Sequence, residues 1–164
     1  MMNYSVGMGH DVHRFIEGRK LFLGGVEVPY THGLLGHSDA DVVLHAICDA
    51  ILGALSLGDI GEHFPDTDPQ YKGISSGVLL AKVDEKARAK GWIIGNVDVI
   101  ILAQEPKLRD FKPKMKYYIA NTLGISEDQV NIKAGTNEGL GFIGAKEGIA
   151  SYAVVLLVKE GSSI

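Results

Sequence analysis

Ser38-Asp39-Ala40-Asp41-Val42-Val43-Leu44-His45-Ala46-Ile47-Cys48-Asp49-Ala50-Ile51-Leu52-Gly53 is the stretch on which the fold turns. Its periodicity predicts a helix over residues 39–55, with Ser38 or Asp39 as N-cap and Gly58 soon after its end. At about 100° per residue, Leu44, Ile47, Ile51 and Leu55 fall on one side of that helix. Asp41, His45 and Asp49 form a polar stripe about 80° wide on the other. A helix apolar along one face must lay that face on another element, and the flanking segments supply a sheet. Upstream, residues 4–13 read as an opening strand. Leu21-Phe22-Leu23-Gly24-Gly25-Val26-Glu27-Val28 reads as a short hairpin whose Gly-Gly pair takes up positive φ at little cost. Downstream, Ser75-Ser76 open a second helix carrying Leu79, Leu80, Val83 and Ala87, which Gly91 stops. Residues 95–102 read as a strand. Leu108, Phe111, Met115, Tyr118 and Ile119 are spaced for a third helix ending at Gly124, with Pro113 perturbing its first turns. Residues 130–134 and 149–158 close the order as strands, the last apolar enough to be central. Strands interleaved with helices imply an α+β class, an α/β sandwich. Helices pack on one face of a mixed four-stranded sheet, with the short β-hairpin beside it.

Composition narrows the function. The 164 residues are 46% hydrophobic and 22% charged, which suits one globular domain and excludes disorder, collagen-like repeats and coiled coil. A chain of this length builds a core without metal or disulfide staples, so a metal site in it serves function. Acidic residues outnumber basic ones 20 to 16 for a formal charge of −4, which argues against nucleic acid or an anionic membrane as partner. A small anion remains open to it through local N–H groups, placed cations or metal. The single Cys48 forms no intrachain disulfide and suits a reducing compartment. No export signal and no membrane-length apolar run is read, so the expected address is the bacterial cytoplasm, or a plastid if a transit peptide has been removed. The 21 glycines are spread through the chain and form no linker.

Two local patterns carry metal chemistry. In Asp11-Val12-His13, strand alternation puts Asp11 and His13 on one face, roughly 6–7 Å apart along the chain. On the predicted helix, His45 lies on the polar stripe rather than the apolar face. One Asp and two His give the three protein ligands of a catalytic zinc site, with a fourth position open to water or substrate. Spacing alone leaves metal-assisted hydrolysis as open as phosphoryl transfer. The acid-rich segment from Gly58 to Pro69 follows the helix of His45 and can reach the same cavity. Lys133-Ala134-Gly135-Thr136-Asn137-Glu138-Gly139 offers backbone N–H groups and a hydroxyl to phosphate, and Glu138 suits a hard cation. It matches neither the P-loop nor the dinucleotide fingerprint.

Together these residues resemble the 2-C-methyl-D-erythritol 2,4-cyclodiphosphate synthase family. The resemblance runs in register from Gly9-His10-Asp11-Val12-His13, through residues 38–53, 58–69 and Ala103-Gln104-Glu105-Pro106-Lys107-Leu108, to the block from Asn131 to Ala150. It implies conversion of 4-diphosphocytidyl-2-C-methyl-D-erythritol 2-phosphate into the cyclic 2,4-diphosphate with release of CMP, by a phosphorus–oxygen lyase of the non-mevalonate isoprenoid pathway. It implies one zinc ion per subunit on Asp11, His13 and His45, and Mg²⁺ or Mn²⁺ on Glu138 at the diphosphate. His37 and Thr136 are the implied catalytic groups. Asp11-Val12-His13, His37, Ser38 and Asp59-Ile60-Gly61 would meet the methylerythritol and its phosphates, and Phe64-Pro65-Asp66-Thr67-Asp68 would fold over them. Ala103, Pro106, Lys107 and Leu108 would take the cytidine, and Gly135, Thr136, Asn137, Glu138 and Phe142 would line the diphosphate side. The resemblance also implies a single catalytic domain over residues 1–158 with a tail at 159–164, and a homotrimer with active sites between subunits. Three positions depart from the family pattern. Gly135 and Asn137 stand where hydroxyl residues are usual, and Ala145 stands where many members carry an Arg tied to isoprenoid diphosphate binding.

Overall fold

The computed structural model describes residues 2–162. The expected tail at 159–164 lies partly outside them, and the last strand itself includes Lys159. The elements in chain order are β1 (Tyr4–Glu17), β2 (Leu21–Leu23), β3 (Val26–Val28), β4 (His32–Leu34), α1 (Val42–Ala54), α2 (Ile60–His63), α3 (Ser76–Ala89), β5 (Trp92–Leu102), α4 (Lys112–Leu123), β6 (Val130–Gly135), α5 (Gly141–Gly144) and β7 (Gly148–Lys159). The class is α+β. The mixed sheet has five strands rather than four, in the order β4-β1-β7-β5-β6, with β2-β3 as a separate hairpin. All its neighbours are antiparallel except β5 and β6, which are parallel and joined through α4. The extra strand is β4, which pairs with Phe15–Glu17 at the far end of a β1 longer than expected. His32-Gly33-Leu34 is three residues long with a glycine at its centre, so it carries no alternation to read.

One core fills the space between the inner face of the sheet and the helices. α1 packs on β1 and β7, α3 on α1 and β5, and α4 on β6. The seating of α1 is a backbone contact. Gly9 faces the carbonyl of Ala46 and Gly7 that of Ala50, each so close that an added Cβ would lie 1.9 Å and 1.8 Å from the oxygen. Four helical residues advance about 6 Å and two strand residues about 6.7 Å, so the pairs Gly9/Ala46 and Gly7/Ala50 repeat in step. α1 therefore runs antiparallel to β1, and its first turn lies beside the residues that follow Gly9.

The start of α1 differs from the sequence reading. Its N-cap is Asp41, not Ser38 or Asp39. The side chain is fully buried rather than part of a polar stripe. Its carboxylate accepts from Val43 N and Leu44 N, both at 3.1 Å, and from Gly24 N and Gly25 N of the hairpin turn at 2.9 and 2.7 Å. Four N–H groups thus depend on one buried side chain, which staples β2-β3 onto α1. Asp41→Ala leaves them without a partner and is expected to cost about 2–3 kcal/mol. Urea unfolding should show a lower midpoint at unchanged slope. A midpoint within error of the parent would show that the staple contributes nothing.

The outer face of the sheet is uncovered in one chain. Val6 and Met8 of β1 are 65% and 69% exposed, and Val12, Tyr152 and Val154 lie beside them. No described helix is long and apolar enough to cross a membrane.

Candidate active site

Strand alternation carries the inner face of β1 from Gly7 and Gly9 on to Asp11 and His13. Because α1 runs the other way along that face, His45 in its first turn meets Asp11. His45 Nδ1 lies 3.0 Å from Asp11 Oδ2, and His13 Nε2 lies 3.1 Å from the same oxygen. The three ligand atoms fall within 4.8 Å of one another. Tetrahedral zinc with bonds of about 2.05 Å needs ligand atoms about 3.3 Å apart, close to these separations. His13 Nδ1 is 2.6 Å from the carbonyl oxygen of Leu35, which can only accept, so Nδ1 carries a hydrogen and Nε2 is the nitrogen turned to the centre. Between that nitrogen and the Asp11 carboxylate stands a proton or a metal ion in its place, and the donor set fits a divalent metal with one position open. Burial works to raise the Asp11 carboxyl, but the hydrogen bonds and charges of His13 and His45 outweigh it and hold it at about 2. The ligand is therefore anionic at any ordinary pH. Burial lowers His13, and the Asp11 carboxylate more than reverses that to leave it raised.

The centre opens into a cleft of about 350 Å³. Its floor is Asp11, His13 and His45, and its walls include Gly36, His37 and Ser38, then Ile60, Gly61, Phe64, Pro65 and Asp66, and finally Tyr71, Ile74 and Leu79. Nε2 of His37 is buried without a protein partner, so this wall keeps an unspent polar atom for a ligand. The loop that bears it is held from behind by Arg19, which donates to the carbonyls of Gly36 at 2.8 Å and Ser38 at 2.6 Å. Asp49, placed by periodicity on the stripe of His45, instead accepts from Ile60 N at 2.7 Å and so anchors the start of α2. Asp59 caps α2 through Glu62 N.

A second cleft of about 330 Å³ lies where β5 and β6 end. Ala103, Pro106, Lys107 and Leu108 line it with Gly135 and Thr136, as do Gln104, Arg109, Lys112 and Ala134. The two clefts have no residue in common.

Several expected site residues stand outside both clefts. The Val12 side chain points to the outer face, so only its backbone neighbours the metal ligands. Thr67 and Asp68 lie beyond the cleft wall, and Asp68 caps the turn at Pro69–Tyr71. Asn137, Glu138 and Phe142 sit in the segment after β6, where Thr136 Oγ1 donates to Glu138 Oε1 at 3.1 Å. Glu138 is not among the three converging ligands. Lys146, beside the departure at Ala145, pairs with Glu105 at 2.9 Å. Sequence reading missed Arg19, Ser76 and the Leu35 carbonyl. Each acts across a gap in sequence of 17 to 31 residues, and no local spacing marks them.

Known proteins bear on this geometry. The YgbB family pattern matches residues 4–158. A 2-C-methyl-D-erythritol 2,4-cyclodiphosphate synthase from Geobacter metallireducens is 62% identical over 155 residues, covering 94% of this chain and 99% of that protein. One from Agathobacter rectalis is 60% identical over 152 residues, covering 93% and 86%. Among solved structures, the bifunctional IspDF from Campylobacter jejuni is similar with a TM-score of 0.93 at 48% identity, over 97% of this chain and 43% of that one. The CDP complex of Plasmodium falciparum IspF is similar with a TM-score of 0.85 at 35% identity, over 97% and 98%.

Proposed function

The chain belongs to the YgbB family, that of the 2-C-methyl-D-erythritol 2,4-cyclodiphosphate synthases, and on that premise we propose how its residues perform the reaction. It is a cyclodiphosphate synthase of isoprenoid precursor formation. The substrate is 4-diphosphocytidyl-2-C-methyl-D-erythritol 2-phosphate. An oxygen of the 2-phosphate attacks the β-phosphorus and closes the ring. The bond from that phosphorus to the bridging oxygen breaks, and its electron pair leaves with CMP, so the enzyme acts as a phosphorus–oxygen lyase. A phosphate monoester has a second pKa near 6, so the nucleophile arrives ionised at neutral pH and no enzymic base is needed. Orientation and charge neutralisation remain for the protein to provide.

Asp11, His13 and His45 hold zinc, which when bound supplies Lewis-acid stabilisation of charge on the transferred phosphoryl group. Glu138 would hold a second cation, Mg²⁺ or Mn²⁺, which would supply further neutralisation of diphosphate charge. His37 directs its unpartnered nitrogen at the phosphoryl oxygens, and Thr136 offers its hydroxyl from the other side. Ser38 and Asp59-Ile60-Gly61 hold the methylerythritol end while Phe64-Pro65-Asp66 exclude water over it, with Thr67 and Asp68 setting the loop. Ala103, Pro106, Lys107 and Leu108 receive the cytidine. The backbone of Gly135 and Asn137 replaces lost hydroxyls, and Phe142 borders that side. The reading rests on one observation above the others: three metal-ligand atoms converge in the cleft that also holds the unspent nitrogen of His37.

The separate clefts support a homotrimer in which the cytidine cleft of one subunit completes the metal cleft of the next. The exposed apolar outer face of the sheet supplies a surface for that contact. A cytoplasmic address completes the proposal, in keeping with the bacterial relatives. Incubating the purified chain with substrate, Zn²⁺ and Mg²⁺ should yield CMP and a cyclic diphosphate by ³¹P NMR. Linear products carrying ¹⁸O from labelled water would instead show hydrolysis and overturn the cyclisation.

A further inference from the structure

His45 faces the metal centre through Nδ1, and its other ring nitrogen enters a hydrogen-bonded chain that ends on the next helix. Nε2 lies 2.8 Å from Ser76 Oγ and 3.2 Å from Ser38 Oγ. Ser76 is fully buried at the first position of α3. Its hydroxyl makes a short hydrogen bond to Asp39 Oδ1, and its backbone N–H donates to Asp39 Oδ2 at 3.0 Å. Asp41 N also donates to Asp39 Oδ1, at 3.2 Å. The carboxylate is thus clamped by three donors at the N-terminus of a 14-residue helix, an end whose dipole suits an anion.

The direction of the chain follows from counting hydrogens. A carboxylate only accepts, so the single hydrogen of the Ser76 hydroxyl is spent on Asp39. Toward His45 that oxygen then has only lone pairs, and at 2.8 Å it tolerates Nε2 only as a donor. Ser38 does not reverse the choice, because its contact is the longer one and its oxygen already accepts from Ala40 N at 3.1 Å. Nδ1 lies 3.0 Å from the Asp11 carboxylate, so without metal it shares a proton with Asp11, and a cation that displaces that proton meets the Nδ1 lone pair while the hydrogen on Nε2 stays. Nδ1 is the nitrogen that faces Asp11 and His13.

We infer that Asp39 and Ser76 are positioning residues that hold His45 in the tautomer with hydrogen on Nε2, so that Nδ1 is presented to the metal. The inference rests on the metal reading above and adds what selects the ligating nitrogen. His13 is fixed in the opposite sense by the Leu35 carbonyl, so the two histidines ligate through different ring nitrogens, each dictated by its outer partner.

The test uses the full chain with Zn²⁺ alone as probe. In the zinc-loaded protein, ¹⁵N NMR of the imidazoles should show His45 bound to metal at Nδ1 with its hydrogen on Nε2, and His13 the reverse. Ser76→Ala and Asp39→Asn should each weaken Zn²⁺ binding by roughly 10- to 100-fold and speed exchange of the Nε2 hydrogen with water. Merely loosened packing would lower the urea midpoint without changing that exchange relative to His13. Finding His45 bound through Nε2 overturns the inference even if zinc binds there. Parent-like exchange and zinc affinity in both folded variants overturn it equally. Failure of the parent to bind zinc, with a slowly exchanging hydrogen still on Nε2 of His45, sinks the metal reading while the positioning stands.

Discussion

His45→Ala is expected to leave a folded protein that no longer retains zinc and turns over substrate at least about a thousandfold more slowly, roughly 4 kcal/mol of transition-state stabilisation. Asp11 and His13 stand on one strand and offer two ligands only, and His45 is the one ligand that approaches from the helix. Two ligands on one strand do not hold a divalent ion against water and competing buffers, and the loss should appear in metal analysis before any assay. The side chain is largely buried and hydrogen-bonded to Asp11 and Ser76, so the metal-free variant should lose about 1–2 kcal/mol relative to the metal-free parent and still fold. The comparison that decides the matter is zinc content against kcat in one preparation. A variant with one zinc per chain and parent turnover would dismiss the triad as the metal centre.

Gly9→Val should do comparable damage from a position that touches no ligand. A Cβ there would stand 1.9 Å from the Ala46 carbonyl oxygen and 2.7 Å from Ala50 N, both backbone atoms of α1. No rotamer relieves such a clash, so the helix must move off the strand or the strand must bend. Either adjustment opens the core along the most closely packed contact of the fold and is expected to cost about 3 kcal/mol or more. It also carries His45 away from Asp11, since His45 directly precedes Ala46 on the helix and Asp11 lies two residues beyond Gly9 on the strand. The variant should therefore combine a lower urea midpoint with substoichiometric zinc, and excess zinc should restore part of the stability by mass action. Parent-like stability and full zinc content together would mean that the glycine contact does not set the position of α1.

The legible part of this protein was the part written at short range. Alternation placed Asp11 and His13 on one face because successive strand side chains point to opposite sides, and β1 has them so. The helix that bears His45 was marked by apolar residues three and four apart, and the hairpin by Gly24-Gly25 between Leu21-Phe22-Leu23 and the alternating Val26-Glu27-Val28. Each signal is contained within a few residues of chain. β4 was not legible, because a strand of three residues gains its place only from pairing with Phe15–Glu17. Asp41 was misread for a related cause. The wheel shows which way a side chain points from an ideal helix, but not that the helix begins at Val42, three residues later than expected, nor that a glycine turn from elsewhere brings two N–H groups to the carboxylate.

The sequence by itself determined the class of the fold, the three residues fit to hold a metal and the family pattern in which they stand. Local dihedral preferences and side-chain chemistry are carried by each segment alone, so these were readable without knowing how segments meet. Only the tertiary structure decided that His45 comes within 3.0 Å of Asp11, 34 residues away, and that Ser76 takes up its other nitrogen from 31 residues further on. Those distances depend on α1 lying directly against the backbone of Gly7 and Gly9 and on α3 lying against α1. Such contacts are set by the whole core, where one displaced helix moves every group it carries, and no segment encodes them alone.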